Sequence, residues 1–254
     1  MPDATKGALV WDRDGERFYE TGTKNVALFV AKDDGTYDIG VAWNGVTGVT
    51  ESPSGAEATD LWADDRKYAT LRSAEQLGGT ITAYTYPPEW EVCDGSVTPI
   101  AGVHFGQQAR RKFALAYITT EGNDVALNDY GEKLHILYGA TASPSERAYP
   151  TINDSPEAIE FSWEFETTPM DVAITTGTSP TTTTTTYKPL SLITIDKVLK
   201  GATSAAQETH LANYTALKEF IFGKGTAGAS GQDPTLPTPQ QVYNLITTGD
   251  AAGE

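Results

Sequence analysis

Three glutamates, Glu160, Glu164 and Glu166, come closest in type and spacing to a catalytic arrangement. In a strand over residues 159–167, Ile159, Phe161, Trp163 and Phe165 point one way, and Glu160, Ser162, Glu164 and Glu166 point the other. Glutamates at i and i+2 on one strand face stand about 7 Å apart, within the range of an inverting glycosidase pair. Such pairs ordinarily come from separate elements flanking the substrate, and one carboxyl needs an apolar pocket to keep its proton. A solvated acidic face on an amphipathic strand explains the same pattern without catalysis.

Other reactive types are sparse. Cys93 lies between Glu91 and Asp94, which raise a thiol pKa rather than activate it, so a bystander thiol is expected. One cysteine excludes an intramolecular disulfide framework and a multi-cysteine zinc site. His104, His135 and His210 fall on different segments, which argues against a histidine-rich metal centre. Gly223-Lys224 is followed by Gly225, and Lys218 stands where a phosphate-binding loop needs its first glycine. Gly225, Gly228 and Gly231 follow no strand and read as a connector. No nucleophile elbow or zinc-protease helix occurs. Neither an enzyme nor a cofactor or metal is expected.

Composition narrows the classes further. The 254 residues are 39% hydrophobic, enough for one large domain or two small ones. Lys and Arg number 18 against 34 Asp and Glu, a net charge of −16, which argues against gripping nucleic acid through its phosphates. With no basic start, apolar leader or long apolar run, the reading is of a soluble chain that folds in a cytoplasm. The sequons at Asn153 and Asn213 are then chance matches.

The elements that would position these residues are mostly strands. Short β-branched and aromatic runs separated by Gly, Asp, Asn and Pro predict strands at 26–31, 37–43, 79–86, 112–119, 131–138, 159–167 and 190–196. Asp33-Asp34-Gly35 and Ala63-Asp64-Asp65-Arg66 read as hairpin turns, and Pro87-Pro88-Glu89-Trp90 as a short helical turn. Residues 44–59 are Gly-, Ser-, Thr- and Pro-containing, and read as a long loop too polar for a strand core. The threonine run 181–186 reads as a linker or exposed edge. Leu211, Tyr214, Leu217, Phe220 and Ile221 predict an amphipathic helix over 205–222 ending before Gly223, and residues 240–247 a last helical turn or two.

Ordered blocks along residues 26–169 resemble the major tail tube proteins of long-tailed, non-contractile bacteriophages. They include Trp43-Asn44-Gly45-Val46-Thr47-Gly48-Val49, Glu51-Ser52-Pro53-Ser54-Gly55-Ala56-Glu57, Trp62-Ala63-Asp64-Asp65 and Tyr84-Thr85-Tyr86-Pro87. Gly106-Gln107-Gln108, Arg111-Lys112-Phe113, Gly122-Asn123-Asp124, the run from Lys133 to Ala140, Pro144-Ser145-Glu146 and the run from Thr151 to Ile159 continue them. The resemblance implies a mainly β fold, a sandwich or barrel with a flanking short helix. It also implies homohexameric rings, stacked into a tube around a tape measure protein and bounded by tail terminator and tail tip proteins. DNA would pass through the lumen without specific binding, and the protein would reside in the virion tail after assembly in the host cytoplasm, with no membrane partner. Residues 1–200 would form the tail tube domain and residues 201–254 a helical, Pro/Gly-rich extension. The loop 44–59, with Asn44, Thr50, Glu51, Pro53 and Glu57, matches the position of the family's inter-subunit loop.

A DNA conduit must not bind DNA, so the acidic face of Glu160, Glu164 and Glu166 is the candidate lumen face. The alternative places it outside or against a neighbouring subunit. A carbohydrate-binding β-sandwich of a virion or cell surface, using Trp43, Trp62, Tyr84 or Trp90 as stacking platforms, is the second functional reading. A glycoside hydrolase using Glu164 and Glu166 is the third.

Overall fold

The computed structural model describes residues 11–55, 57–152, 158–177, 182–225 and 231–249. In chain order the strands begin with β1 (Phe18–Val30), β2 (Val41–Ala42), β3 (Val46–Gly55), β4 (Ala58–Ala63), β5 (Arg66–Arg72) and β6 (Glu75–Ala83). A 3-10 turn at Pro88–Trp90 leads to β7 (Val97–Ile100), β8 (Val103–Phe105), β9 (Phe113–Asn123) and β10 (Leu127–Ala142). Then come β11 (Phe161–Thr167), β12 (Met170–Thr176), β13 (Thr183–Leu190), β14 (Leu192–Asp196), α1 (Ser204–Phe222) and α2 (Pro239–Thr248). The fold is mainly β, as the sequence predicts, and sandwich-like.

The main sheet runs β2-β1-β9-β10-β11-β6-β3, all antiparallel, with β14 also on β10. β10 organises the architecture by serving two partners along one edge. Lys133 to Leu137 pair with β14, and Ala140 to Ala142 pair with β11. The switch falls at Gly139, whose φ of 63° and missing Cβ admit the Thr168 carbonyl; a Cβ there would sit 2.7 Å from that oxygen. Beyond the switch the sheet folds over itself and encloses a core.

Burial follows from that folding. β1, β9 and β10 are covered on both faces, so Val-Ala-Leu-Phe-Val, Phe-Ala-Leu-Ala-Tyr-Ile and Leu-His-Ile-Leu-Tyr are near-continuous buried runs. Inside lie Val26, Leu28, Phe113, Leu115, Ile81, Trp43, Trp90, Trp163 and Phe165. On the opposite face Ala27, Phe29, Ala116, Ile118, Leu134 and Ile136 receive Tyr214, Leu217 and Ile221 of α1 and Val242 and Leu245 of α2. Helices α1 and α2 therefore form a packed layer on the sheet, since their apolar side chains cover that face.

Local chemistry fixes the helices. Thr203 caps α1 by accepting from the Ala206 N–H, and Thr238 and Gln241 form a reciprocal capping box at α2. Asn213 donates to the Ile246 carbonyl and joins the two helices. His210 Nε2 lies 2.7 Å from the Asp196 carbonyl, which can only accept, so that nitrogen carries the proton.

β11 has one buried face and alternates cleanly, with Trp163, Phe165 and Thr167 inward and Ser162, Glu164 and Glu166 outward. The segment expected as a loop over residues 44–59 is instead strand β3, the intervening residues, and the start of β4. β3 is an edge strand with little buried surface, so it needs no apolar alternation, and its edge position tolerates Pro53. Its partner β6 approaches closely at Gly79, where a Cβ would stand 2.1 Å from the Thr50 carbonyl and 2.6 Å from the Phe165 ring. Thr183 to Thr186 of the threonine run form the first half of β13, an exposed strand paired with β12, while Thr181 lies outside the described residues.

Candidate assembly surface

Three surfaces stand out: a two-stranded arm, a polar sheet face, and a cleft at the end of the β3–β6 pair opposite the arm.

The arm continues the β3–β6 pair outward. Their register reaches Gly55 opposite Glu75, and β4 and β5 continue it from Ala58 opposite Arg72 to Ala63 opposite Arg66. The two-residue turn is Asp64-Asp65, with φ of 51° and 56°, the left-handed pair of a type I′ hairpin. The predicted turn is therefore present, but it caps an arm rather than an internal hairpin. Leu61, Trp62, Tyr68 and Leu71 are all exposed on it, Trp62 at 69% and Tyr68 at 73%. The sequence reading named Trp62 only as a carbohydrate platform and did not single out Leu61, Tyr68 or Leu71, because apolar residues beside a hairpin turn do not by themselves show whether the hairpin is covered. Large apolar groups on a projecting ribbon mark an interaction site.

The polar face lies across β11, β6 and β3. Cross-strand register aligns Glu164 with Thr80 and Thr50, Ser162 with Thr82 and Gly48, and Glu166 with Gly78 and Ser52. Glu164 and Glu166 have no ion pair among the described residues. Glu160, just before β11, accepts from the Thr47 hydroxyl at 2.5 Å, and Thr47 also bonds Thr82 at 2.8 Å. A shallow groove of about 260 Å³ runs past Ser52, Gln76, Thr80, Glu164 and Glu166. Both glutamates are solvent-exposed on that polar face, not set in the apolar pocket a proton-holding glycosidase carboxyl needs.

The other sequence candidates scatter. Thr50 is on the polar face, Pro53 on the edge and Glu57 where the arm begins, while Asn44 lines the cleft just before β3. Glu51 faces inward. It accepts from the Tyr117 hydroxyl, and its carboxylate lies 3.5 Å from His135 Nδ1. His135 stacks flat on Tyr117 at 4.7 Å, and its Nε2 meets the Thr119 hydroxyl at 2.9 Å. Of the four aromatics proposed as carbohydrate platforms, Trp43 and Trp90 are buried in the core and unavailable, while Trp62 and Tyr84 are exposed. Their apolar surroundings in the folded sheet, invisible in local sequence, account for this correction.

His135 gives the sheet beside Glu51 a pH dependence. Burial holds its pKa below the usual 6.5, against the raising influence of Glu51, Glu20 and Asp196 and with the lowering influence of Lys133. The unfolded chain thus takes up a proton that the fold refuses, and stability falls as pH drops below about 6.5. Glu132 acts in the same direction at lower pH. Burial opposes its ionisation, but Lys218, Lys197 and Lys24 outweigh that and hold it below the usual 4.5, so its contribution is lost as pH falls through that range. The Tm is expected to fall between pH 7.5 and 5.5, and less so in His135→Gln. Equal falls in calorimetry would contradict the assignment.

Cys93 is buried, and burial pushes its thiol up to about 12, against the opposing effect of Arg111. Beside it Asp94, its side chain only 9% exposed, pairs with Arg147, whose guanidinium lies over the Tyr86 and Phe161 rings at 5.7 and 5.9 Å. Arg147→Ala strands that carboxylate and should cost about 3 kcal/mol in urea denaturation, with Asp94→Asn/Arg147→Ala recovering part of it.

The cleft, about 870 Å³, lies between α1 and the β1–β3 region. Lys218 Nζ is 2.6 Å and Lys24 Nζ 3.4 Å from the Glu132 carboxylate, and Lys197 also lines the cleft. No group of three or more potential metal-ligating side chains occurs among the described residues. No described helix is long and apolar enough to cross a membrane. The sequence matches no protein-family model, and no curated protein is significantly similar to it.

Proposed function

We propose that this protein is the repeating structural subunit of a bacteriophage tail tube, forming homohexameric rings that stack into the conduit for genome ejection. The observation that carries the reading is the arm: a two-stranded ribbon with Leu61, Trp62, Tyr68 and Leu71 turned to solvent, an arrangement that makes sense when another copy covers it. The ordered sequence blocks that resemble the tail tube family support it. So does the polar face of Glu160, Glu164 and Glu166 in a chain of net charge −16. A lumen lined by hydroxyls and carboxylates repels phosphates instead of trapping them. Tape measure, terminator and tip proteins would be its partners, and the virion tail its destination.

Light scattering on a sizing column tests the reading, which expects concentration-dependent growth through six-subunit multiples. A compact monomer at all concentrations that retains measurable glycan affinity through Trp62 or Tyr84 would favour a carbohydrate-binding sandwich instead. Glu160→Lys/Glu164→Lys/Glu166→Lys is expected to assemble normally yet deliver DNA poorly in an ejection assay. Unimpaired ejection would remove that face from the lumen.

A further inference from the structure

We infer that the cleft at the start of β3, at the far end of the β3–β6 pair from the arm, is the receptor for the arm tip of a second copy of this chain. The inference rests on the reading of the arm as an element that joins copies, and it adds where the tip goes. Lys24, Lys197 and Lys218 gather in the cleft against one buried carboxylate, Glu132; Glu219, at the rim, is already held by Lys224 at 2.6 Å. The lining carries three lysines against two glutamates, one of them held by Lys224 from outside it, which leaves the cleft with a small positive surplus, an exception in a chain with nearly twice as many acids as bases. Leu211 and Phe222 add apolar surface beside them, Leu211 being 40% exposed.

The arm tip offers the complementary chemistry. Asp64 and Asp65 form its turn, both exposed, with Arg66 one position behind and Trp62 and Tyr68 flanking them. Carboxylates at the extreme end, backed by an aromatic ring, suit a lysine-lined cleft with an apolar wall. The arm cannot place this tip in its own cleft. Gly45 and Val46 line the cleft at the start of β3, and the ten residues of β3 carry the ribbon roughly 33 Å away before β4 begins. Donor and receptor therefore sit at opposite ends of one element. A contact between them is head-to-tail, the kind that closes into rings or propagates into stacks.

Ala63→Cys and Thr215→Cys place one thiol beside the turn and one on the exposed side of α1 at the cleft, while Cys93 is buried and silent. Mixing the two variants with a short flexible bis-maleimide should give a covalent dimer that neither gives alone. Asp64→Asn/Asp65→Asn, which keeps side chains that accept the left-handed turn, should lower the yield about tenfold. Rings or tubes without this cross-link would overturn the inference and leave the tail tube reading standing. A cross-linked dimer that never grows into rings would support the inference and count against the tail tube reading. A protein that neither cross-links nor self-associates would overturn both.

Discussion

A protein in which residues 56–74 are replaced by Asn-Gly is expected to fold, stay monomeric and never assemble. The change closes β3 and β6 at the Gly55–Glu75 pair with a two-residue turn of the type that Asn-Gly favours. Nothing in the core is lost, because the side chains of β4 and β5 are exposed apart from half-buried Ala69. The Tm should therefore move by only a few degrees, which corresponds to about 1 kcal/mol for a chain of this size. The effect on assembly should be complete, since a heterologous interface stripped of one half cannot propagate. Parallel calorimetry and light scattering check both halves of the expectation. A stable variant that still forms tubes would show that the arm is dispensable, and an unfolded one would show that it belongs to the core.

Trp163→Ala should have the largest effect on stability. Trp163 is 1% exposed and meets four aromatic rings: Trp43 at 5.6 Å, Trp90 at 5.5 Å, and Tyr86 and Phe161 at 5.6 Å each. Truncating it opens a cavity where the two halves of the folded sheet meet, at a cost of about 3–5 kcal/mol. Its indole N–H, however, is buried without a partner among the described residues, as is that of Trp90. Removing that donor while keeping a ring offsets some of the lost packing, so Trp163→Phe should cost clearly less than Trp163→Ala. Urea titrations of the three proteins decide it. Equal costs for the two variants would contradict the packing role of the ring.

The strands buried on both faces and the two helices were legible in the sequence because their signals are local. Runs such as Phe113 to Ile118, the alternation of residues 161–167, and the spacing of Tyr214, Leu217 and Ile221 each name their element. β3 was not legible, because a strand recognised by its buried face gives no signal when most of that face is solvated. Pro53 and the glycines then outweigh the valines in any local reading. The arm failed for the complementary reason. The Asp64-Asp65 turn between two short runs reads as any hairpin, and only the register of β3 with β6 shows that the main sheet has ended before Leu61, Trp62, Tyr68 and Leu71 begin. The lysines of the cleft lie at residues 24, 197 and 218, far apart in the chain and joined by the packing of α1 on β1 and β10. The buried state of Trp43 and Trp90 is of the same kind, a property of the closed core.

Electron microscopy of the concentrated protein, with and without preformed tail tips as nuclei, decides whether the chain builds a tube. Rings and hollow tubes with a six-fold end view are expected, absent from the arm deletion. Dispersed monomers at every concentration, with tail tips present, would contradict it.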